Sequence, residues 1–416
     1  MKGANDKVVL ALIGAGGRGT QLIHSILNSN TNVQVKYVCD VDAARGGKVV
    51  DDLNKTQGYA PKKVSDMRTA LDDKDVDAVV IATPDHWHAL AAIWACRAGK
   101  DVYVEKNICI TLDEGPAMVK AAKENKVIVQ CGFQNRSGDF VFAARDYIAA
   151  GELGTIVTVK EYCMLPGTRE WVMKEDSAVP EGLDWDMWLG PAEMVPYNVS
   201  RHKGWLDWWA YSPGAFMDDA SHALDMIRMV LGDPALPRSV YCAGGRVLFN
   251  DKRDIPDNQT IIFDMGEFPF TVEASQYGNY MYKIPNEVRY SDKFPKWDTC
   301  GTRVEIYGTK GMMYLGRMGG GWQVFGEDMK LLSQKTGYFP DEAHHRNFIE
   351  CVRSRKTPNA TLEQGILSSA MINLGNLSYR SGKKMITVDP VTGAITGNPE
   401  AAALDKRSYR KGYELK

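Results

Sequence analysis

The chain has 416 residues, of which 44% are hydrophobic and 25% charged, and its formal net charge is −2. Because one hydrophobic core rarely extends over so many residues, the length predicts two domains. The near-neutral charge excludes a general attraction to nucleic acid or to an anionic membrane surface, and no apolar run of the sequence reaches the length that spans a bilayer.

The first ten residues predict the compartment, and the cysteines predict the state of the thiols. MKGANDKVVL lacks the apolar core of a secretory signal, which predicts a cytoplasmic protein. A chain whose signal had been removed would look the same, so a periplasmic location stays an alternative. Eight cysteines are scattered singly without a CxxC pair, which predicts buried free thiols rather than a zinc site.

The first predicted element is an apolar strand over residues 8–13, followed by a glycine-rich turn and a helix. The turn consists of Gly14, Ala15, Gly16, Gly17, Arg18 and Gly19. Such glycines permit a tight turn and let a pyrophosphate approach the helix N-terminus, where amide groups favour an anion. A glycine-rich turn without a ligand is the alternative.

A second strand, VQVKYVC, ends immediately before Asp40, about 20 residues after the last glycine of the turn. An acid at this place accepts hydrogen bonds from the ribose hydroxyls of a dinucleotide and repels a 2′-phosphate. The two features together predict a dinucleotide-binding fold that prefers NAD to NADP.

Strands and helices continue to alternate up to about residue 132, which predicts a doubly wound parallel sheet over residues 1–132. VDAVVIATP is a continuous apolar strand of the kind that is buried on both faces. The loops after such strands line the cofactor crevice. We therefore expect these cofactor contacts: Thr83, Pro84, Asp85, Trp87, His88, Glu105 and Lys106.

From residue 133 the apolar residues alternate with period two, as in TIVTVKEYCML and FTVEASQYGNYMY. This pattern predicts half-buried antiparallel strands in a second, α+β domain over residues 133–385. Residues 386–416 are polar and glycine-rich, and are predicted to form a tail over the surface.

The segment GAFMDDASHALD places Asp218 and His222 four residues apart, on one face of a predicted helix. Three interpretations are open: a metal site, a proton-transfer pair, or a capped helix with a buried histidine. A metal would need further ligands, which are absent nearby in sequence, although His86 and His88 could approach in space. Proton transfer is favoured because histidine accepts a proton near neutral pH, and no metal is predicted.

A tryptophan-dense region precedes that helix. Flat rings beside polar groups suit the C–H faces of sugar rings, whereas most indoles belong to a core. We expect Trp185 and Trp188 in the core and Trp205, Trp208 and Trp209 as candidates for the rim of a substrate site; Trp171 is the sixth member of the region.

The glycine-rich turn, CDVD, ATPDHWHAL, VEKN and CGFQNRS occur in an order that resembles the Gfo/Idh/MocA oxidoreductases, named for glucose-fructose oxidoreductase and inositol dehydrogenase. The resemblance extends roughly over residues 7–385. It implies a Rossmann domain followed by an open mixed sheet whose free face makes a homodimer or homotetramer contact. In this chain Asn107 replaces the proline of the family's Glu-Lys-Pro motif.

The resemblance also implies the residues of the site. Lys106, Asp218 and His222 would face the nicotinamide, with His222 as base, Lys106 stabilising the alkoxide, and Asp218 orienting His222 or binding a second hydroxyl. Asp219 is an alternative to Asp218 for this role, but only Asp218 lies four residues before His222. The predicted substrate contacts are Lys106, Gln134, Trp205, Asp218, His222 and His344, the last matching a His-x-x-Asn-Phe pattern.

The function predicted from these features is NAD-dependent oxidation of a secondary hydroxyl on a sugar or glycoside, with carbon 3 as one candidate position. The first alternative is a glycosidase that uses bound NAD in an oxidation, elimination and reduction cycle. The second is a non-catalytic regulator that senses a sugar or NAD. The predicted partner is a small carbohydrate.

Overall fold

The structure, a computed structural model, describes residues 6–164 and 172–415. Six parallel strands form the first sheet, in the order β3-β2-β1-β4-β5-β6. Its strands are β1 (Val8–Ile13), β2 (Val33–Cys39), β3 (Lys62–Val64), β4 (Ala78–Ile81), β5 (Asp101–Val104) and β6 (Val129–Cys131). The accompanying helices are α1 (Gly17–Ser29), α2 (Ala43–Gln57), α3 (Arg68–Leu71), α4 (His88–Arg97) and α5 (Glu114–Asn125).

Helices cover both faces of this sheet, which explains why its central strands are continuously apolar. Alternate residues of β1 enter opposite cores: Leu10 and Leu12 pack in one cluster, Ala11 and Ile13 in the other. The predicted doubly wound parallel sheet is confirmed.

Nine strands form the second sheet, in the order β14-β13-β12-β11-β7-β10-β9-β8-β15. The strands are β7 (Ile156–Met164), β8 (Ser239–Gly245), β9 (Asn258–Asp264), β10 (Pro269–Ser275), β11 (Arg303–Gly308), β12 (Gly311–Gly316), β13 (Trp322–Phe325), β14 (Leu331–Lys335) and β15 (Ile386–Thr387). Only β7 and β10 pair in parallel; the other pairs are antiparallel, so the predicted mixed, mostly antiparallel sheet is confirmed.

One face of the nine-stranded sheet is covered by helices, and the other is more open. The remaining helices are α6 (Asp139–Ala149), α7 (Trp185–Leu189), α8 (Val199–Lys203), α9 (Ala215–Val230), α10 (Asn286–Arg289), α11 (Asp341–Ser354), α12 (Leu362–Arg380) and α13 (Pro399–Leu404). On the inner face, Ile261 and Val272 pack in a core that also holds Leu224 of α9. On the outer face, Tyr241 and Ile262 are exposed.

Later segments of the chain return to both sheets. In α11, Phe348 and Ile349 pack in the core with Leu10 and Leu12 of the parallel sheet. Residues 386–387 form the edge strand β15 beside β8, and the ring of Tyr413 lies against those of Trp87 and Trp94. The domain limits at residues 132 and 385 stay a prediction.

All eight cysteines are buried and unpaired, as expected for structural thiols. Burial raises the pKa of each thiol; for Cys96 it rises to about 12, and for Cys242 and Cys351 to about 11. In the described part of the chain, no helix combines the length and apolar character that crossing a bilayer requires.

Candidate active site

A cavity of about 670 Å³ lies between the ends of the parallel strands and the N-terminal half of α9. Most of the predicted site residues line it, although they come from distant parts of the chain. These are Gly14, Gly16, Gly17, Arg18, Asp40, Thr83, Pro84, Asp85, Trp87, His88, Glu105, Lys106, Gln134, Trp205, Asp218 and His222. Gly19 and His344 do not line it.

The glycine-rich turn leaves open space where a dinucleotide would lie. A Cβ atom on Gly16 or Gly17 would meet nothing within 4 Å, so their backbone is accessible from the cavity. By contrast, Gly14 has φ of +90°, and a Cβ there would lie 2.6 Å from the carbonyl oxygen of Ala82. A Cβ on Gly19 would lie 1.9 Å from the Gly14 carbonyl oxygen, so Gly19 permits close helix packing instead of contacting the cavity.

Asp40 is 7% exposed and lines the cavity next to this turn. Its Oδ2 accepts a hydrogen bond of 2.7 Å from the Ala15 amide, and its Oδ1 accepts one of 2.8 Å from the Asp42 amide. Burial raises the pKa of Asp40, against the opposing effect of these amides and Arg45. The carboxylate therefore also braces the turn beside which it lies. The open cradle and this acid fit a dinucleotide.

Glu105 is held by protein partners at the wall of the cavity. The Arg18 guanidinium lies 3.0 Å from its Oε1, and Gln134 Nε2 donates to the same oxygen at 3.2 Å. A Cβ on Gly132 would lie 2.8 Å from the Glu105 carboxyl carbon, so the wall closes tightly behind it. Arg18, Glu105 and Gln134 thus form one connected polar network along the cavity.

The amine of Lys106 pairs with the carboxylate of Asp218, and the amide of Asn107 donates to the other Asp218 oxygen at 3.0 Å. The peptide bond between Lys106 and Asn107 is cis. Burial lowers the pKa of Lys106, but Asp218 and Asp85 outweigh it, so the pKa is raised overall. Lys106 is therefore a charged ammonium group at neutral pH.

His222 lies one helical turn after Asp218 and lines the same cavity. Burial, together with Arg317 and Lys106, lowers the pKa of His222 well below its usual 6.5. The ring is therefore neutral at pH 7 and able to accept a proton. Both Asp218 oxygens bond to the Lys106–Asn107 segment, so the structure assigns Asp218 to the lysine rather than to orienting His222.

The third acid of the α9 pattern, Asp225, turns away from the cavity. It is fully buried, lies 2.8 Å from Arg136 Nε and accepts a hydrogen bond of 2.7 Å from Ser368. Arg136 also pairs with Asp233 at 2.7 Å. This ion pair anchors the C-terminal half of α9, and thereby fixes the direction in which its N-terminal half presents Asp218 and His222.

His344 is placed differently from the expected substrate contact. It is fully buried, and its ring nitrogens lie 2.9 Å from Ser137 Oγ and 2.9 Å from the Cys131 carbonyl oxygen. Both nitrogens are therefore engaged by the protein. The expectation of direct contact with substrate is not supported, because α11 turns this residue toward the parallel sheet.

The aromatic region divides into wall and core. Trp205 lines the cavity and is half-buried. Trp188 also lines the cavity, but it is buried and stacks on Trp185 with ring centroids 4.6 Å apart. Trp208 is buried, and Trp209 packs against the core of the nine-stranded sheet. Trp171 lies outside the described residues.

The two histidines of the HWH segment lie within hydrogen-bond distance of backbone carbonyl oxygens. His86 Nε2 lies 3.0 Å from the Trp188 carbonyl oxygen. The His88 nitrogens lie 2.7 Å and 2.9 Å from the carbonyl oxygens of Asn107 and Thr83. Burial lowers the pKa of His88, and a neutral ring donates to only one of these two carbonyl oxygens. Among residues 6–164 and 172–415, no three His, Cys, Asp or Glu side chains are grouped to hold a metal ion.

Sequence reasoning missed two features of this cavity. Asp85 was expected only as a cofactor contact, yet burial and Asp218 raise its pKa well above the usual 3.8, and its Oδ2 is buried without a hydrogen-bond partner. Asp219 pairs with Arg317 at 2.7 Å and with Lys283 at 3.3 Å. The DD pair at 218–219 was visible in the sequence, but nothing local indicates its cationic partners.

The chain is similar to known proteins in sequence and in fold. A family model described as an oxidoreductase family, NAD-binding Rossmann fold, matches residues 8–133, and its C-terminal alpha/beta domain matches residues 145–260 and 304–415. The scyllo-inositol 2-dehydrogenase (NAD(+)) of Bacillus subtilis is 27% identical over 393 residues, 90% of this chain and 95% of that protein. The levoglucosan dehydrogenase of Pseudarthrobacter phenanthrenivorans is 32% identical over 170 residues, 41% of this chain and 36% of that protein.

Two solved structures share the fold over almost the whole chain. The WlbA dehydrogenase from Bordetella pertussis, in complex with NADH and UDP-GlcNAcA, superposes with a TM-score of 0.64 at 20% identity, covering 92% of this chain and 99% of that chain. The myo-inositol 2-dehydrogenase from Lactobacillus plantarum gives a TM-score of 0.64 at 18% identity, with coverage of 92% and 100%. At these low sequence identities, the TM-scores establish a common fold.

Proposed function

The chain belongs to the Gfo/Idh/MocA oxidoreductase family and is NAD-dependent, and from that premise we propose that it oxidises a secondary hydroxyl of a sugar or glycoside. The observation that carries the proposal is that Lys106, held by Asp218, and His222, whose pKa is lowered by burial, line the same cavity. Oxidation of an alcohol needs such a pair, because one group must stabilise oxygen while another accepts its proton.

The glycine-rich turn and Asp40 would hold the cofactor. The accessible amides at Gly16 and Gly17 suit the pyrophosphate, and the Asp40 carboxylate suits the adenosine ribose hydroxyls. NAD supplies the hydride acceptor when bound. The Arg18–Glu105–Gln134 network then forms the wall between the turn and Lys106, and fixes the width of the cavity there.

At the reacting end, Lys106 donates a hydrogen bond to the substrate hydroxyl oxygen and stabilises the negative charge that develops on it. His222 accepts the hydroxyl proton, the carbon–hydrogen bond breaks with its electron pair leaving as hydride, and the carbon–oxygen bond becomes a carbonyl. Asp218 keeps the Lys106 amine in place and balances its charge. The half-buried ring of Trp205 offers an apolar wall for the C–H face of a sugar.

The experiment that tests this proposal is incubation with NAD and a panel of free sugars, inositols and glycosides, with NADH followed by absorbance and released aglycone followed chromatographically. We expect NADH to accumulate from at least one member of the panel without release of aglycone. Release of aglycone with no net NADH would replace the proposal by the NAD-dependent glycosidase. Tight NAD binding without turnover of any compound would replace it by the sensing regulator.

The assembly is part of the same proposal. The outer face of the nine-stranded sheet exposes Tyr241 and Ile262, which supports a homodimer or homotetramer built on that face. Light scattering on the protein and on a variant carrying Ile262→Lys tests it. A monomeric wild-type protein at micromolar concentration would refute the assembly without bearing on the chemistry.

A further inference from the structure

Two arginines, Arg317 and Arg289, line one wall of the cavity, and Lys283 lies behind one of them. Arg317 donates to Asp219 at 2.7 Å, and Lys283 lies 3.3 Å from the other oxygen of the same carboxylate. Arg317 is 5% exposed, and its Nε is buried without a hydrogen-bond partner. A single carboxylate thus serves two cations, one of which is almost fully removed from solvent.

Arg289 is the second cation that lines this wall, and it forms no ion pair with an acid of the described residues. Its Nε donates to the Ile284 carbonyl oxygen at 2.7 Å, and its carbonyl oxygen accepts from the Phe339 amide at 2.9 Å. The residue is therefore fixed at both its backbone and the base of its guanidinium group, while it lines the cavity. No residue among 6–164 and 172–415 accepts a hydrogen bond from its two terminal nitrogens, which leaves them for a ligand.

Two acids, Asp219 and Asp341, lie near Arg289, and each pairs with another cation. Asp341 also lines the cavity and lies 3.7 Å from Arg18, which pairs with Glu105 as well. Glu161 is fully buried, its charged neighbours are Arg317 and Asp219, and neither of its carboxyl oxygens has a hydrogen-bond partner among the described residues. Burial raises the pKa of Glu161 well above its usual 4.5, so this group is a neutral acid. Four cations, Arg18, Lys283, Arg289 and Arg317, thus face three carboxylates, Asp219, Glu105 and Asp341, which leaves one positive charge in excess. Of these four cations, Arg289 is the one without an ion pair among the described residues.

We propose that this wall binds an anionic substituent, a carboxylate or a phosphate, carried by the sugar substrate. The inference rests on the proposed function and narrows its substrate class to acidic sugars. Guanidinium groups recognise such oxyanions through paired hydrogen bonds, and they do so most strongly where water is excluded. The glycine-rich turn already offers the cofactor pyrophosphate its own amide cradle, so this wall is free for the substrate.

An anion at this wall would also act on His222. Arg317 is the charged group that lowers the pKa of His222 most, after burial. An anion bound beside Arg317 offsets that effect, so the pKa of His222 rises when an acidic substrate binds. The acid limb of kcat, which reports the enzyme–substrate complex, then lies at higher pH than that of kcat/KM, which reports the free enzyme.

The test compares the binding of matched probes to the NAD-loaded protein by thermal melting. The probes are D-glucuronate and D-glucose 6-phosphate, each set against D-glucose. We expect at least one acidic probe to bind about tenfold more tightly than the neutral sugar, which is about 1.4 kcal/mol. Its identity separates a carboxylate site from a phosphate site. Equal binding of all three probes would overturn the proposal.

Two variants locate the effect. Arg289→Gln should reduce the preference for the acidic probe to less than about threefold, and Arg346→Gln, an exposed arginine of α11, should leave it unchanged. If Arg289→Gln instead weakened NAD binding and left the probe preference intact, the wall would serve the cofactor and the proposal would be wrong. Because melting needs no turnover, a preference for acidic probes without dehydrogenase activity would refute only the proposed function.

Discussion

The cavity has two ends, and they are built from different parts of the polypeptide. At the cofactor end, the glycine-rich turn and Asp40 offer mainly backbone amides, and both arise from one strand–turn–helix unit with its neighbouring strand. The catalytic end consists of charged or polar side chains. Lys106 follows β5 of the parallel sheet, whereas Asp218 and His222 lie on α9, which packs against the nine-stranded sheet. The cofactor end is therefore a local structure, whereas the catalytic end depends on long-range packing.

This difference teaches how each end responds to substitution. Backbone amides persist when a side chain changes. A single substitution at the cofactor end therefore alters the preference between NAD and NADP more than it alters the rate of turnover. At the catalytic end the side chains of Lys106 and His222 themselves carry the charge or accept the proton, so their removal changes the chemistry itself. Four substitutions test that contrast, and they are ordered from the largest expected effect to the smallest.

Lys106→Met should have the largest effect on turnover and little effect on NAD binding. Loss of one positioned group for proton transfer or charge stabilisation lowers the rate by roughly 10²–10⁴-fold. Steady-state kinetics on the best substrate of the panel and a titration with NADH measure the two quantities. Lys120→Met, on the exposed surface of α5, is the matched control. Normal turnover by Lys106→Met would place the chemistry elsewhere.

His222→Asn should cost about as much as Lys106→Met, and the double variant should be little worse than either, because the two residues act on one oxygen. In the wild-type protein, the acid limb of kcat/KM should lie below pH 6.5. The reason is that His222 accepts a proton only when neutral, and its pKa is lowered, so activity is lost only as pH falls through that lowered pKa. An acid limb above pH 7 that vanished in His222→Asn would contradict the lowered pKa of His222.

Asp40→Asn should change cofactor preference by about tenfold in favour of NADP while turnover with saturating NAD stays nearly constant. Removing one charge that faces a 2′-phosphate at about 4 Å is worth about 1 kcal/mol or more, depending on local screening. Fluorescence titrations with NADH and NADPH give the ratio of affinities. Asp42→Asn serves as control, since that carboxylate caps α2 and does not line the cavity. Tighter binding of NADPH by the wild-type protein would show that Asp40 does not set the preference.

Asp85→Asn should have the smallest effect, less than about threefold on kcat at pH 7. Burial and Asp218 raise the pKa of Asp85, which favours the uncharged carboxyl group, and an amide of the same shape replaces that form. Asp85→Ala, which leaves Lys106 and Asn107 beside an empty space, should cost more than Asp85→Asn. A large loss in Asp85→Asn alone would mean that this acid must exchange its proton during turnover.

The sequence allows much of the cofactor end to be predicted, because its signals are local. The turn at residues 14–19 and Asp40 stand at fixed spacing within one fold unit, and the structure brings them together at one cavity. The four-residue phase of Asp218 and His222 likewise predicted a common helix face. These patterns need only the geometry of a single strand or helix.

The pairing within the catalytic end could not be predicted from the same signals. Asp218 pairs with Lys106 across 112 positions of sequence rather than with His222 on its own helix. Arg317 and Arg289 reach the cavity from the second sheet and its loops, and no spacing indicates their approach. His344 matches a family pattern in sequence, yet its place on α11 directs it into the protein core.

The buried cysteines have a practical consequence for spectroscopy. Since all eight thiols are shielded and have raised pKa values, maleimide reagents should modify the folded protein only where a new cysteine is introduced at the surface. Tyr290 at the mouth of the cavity is exposed, so Tyr290→Cys offers a unique attachment point for a fluorophore without prior removal of native thiols. A single dye there would report ligand entry in real time, independently of the absorbance of the cofactor.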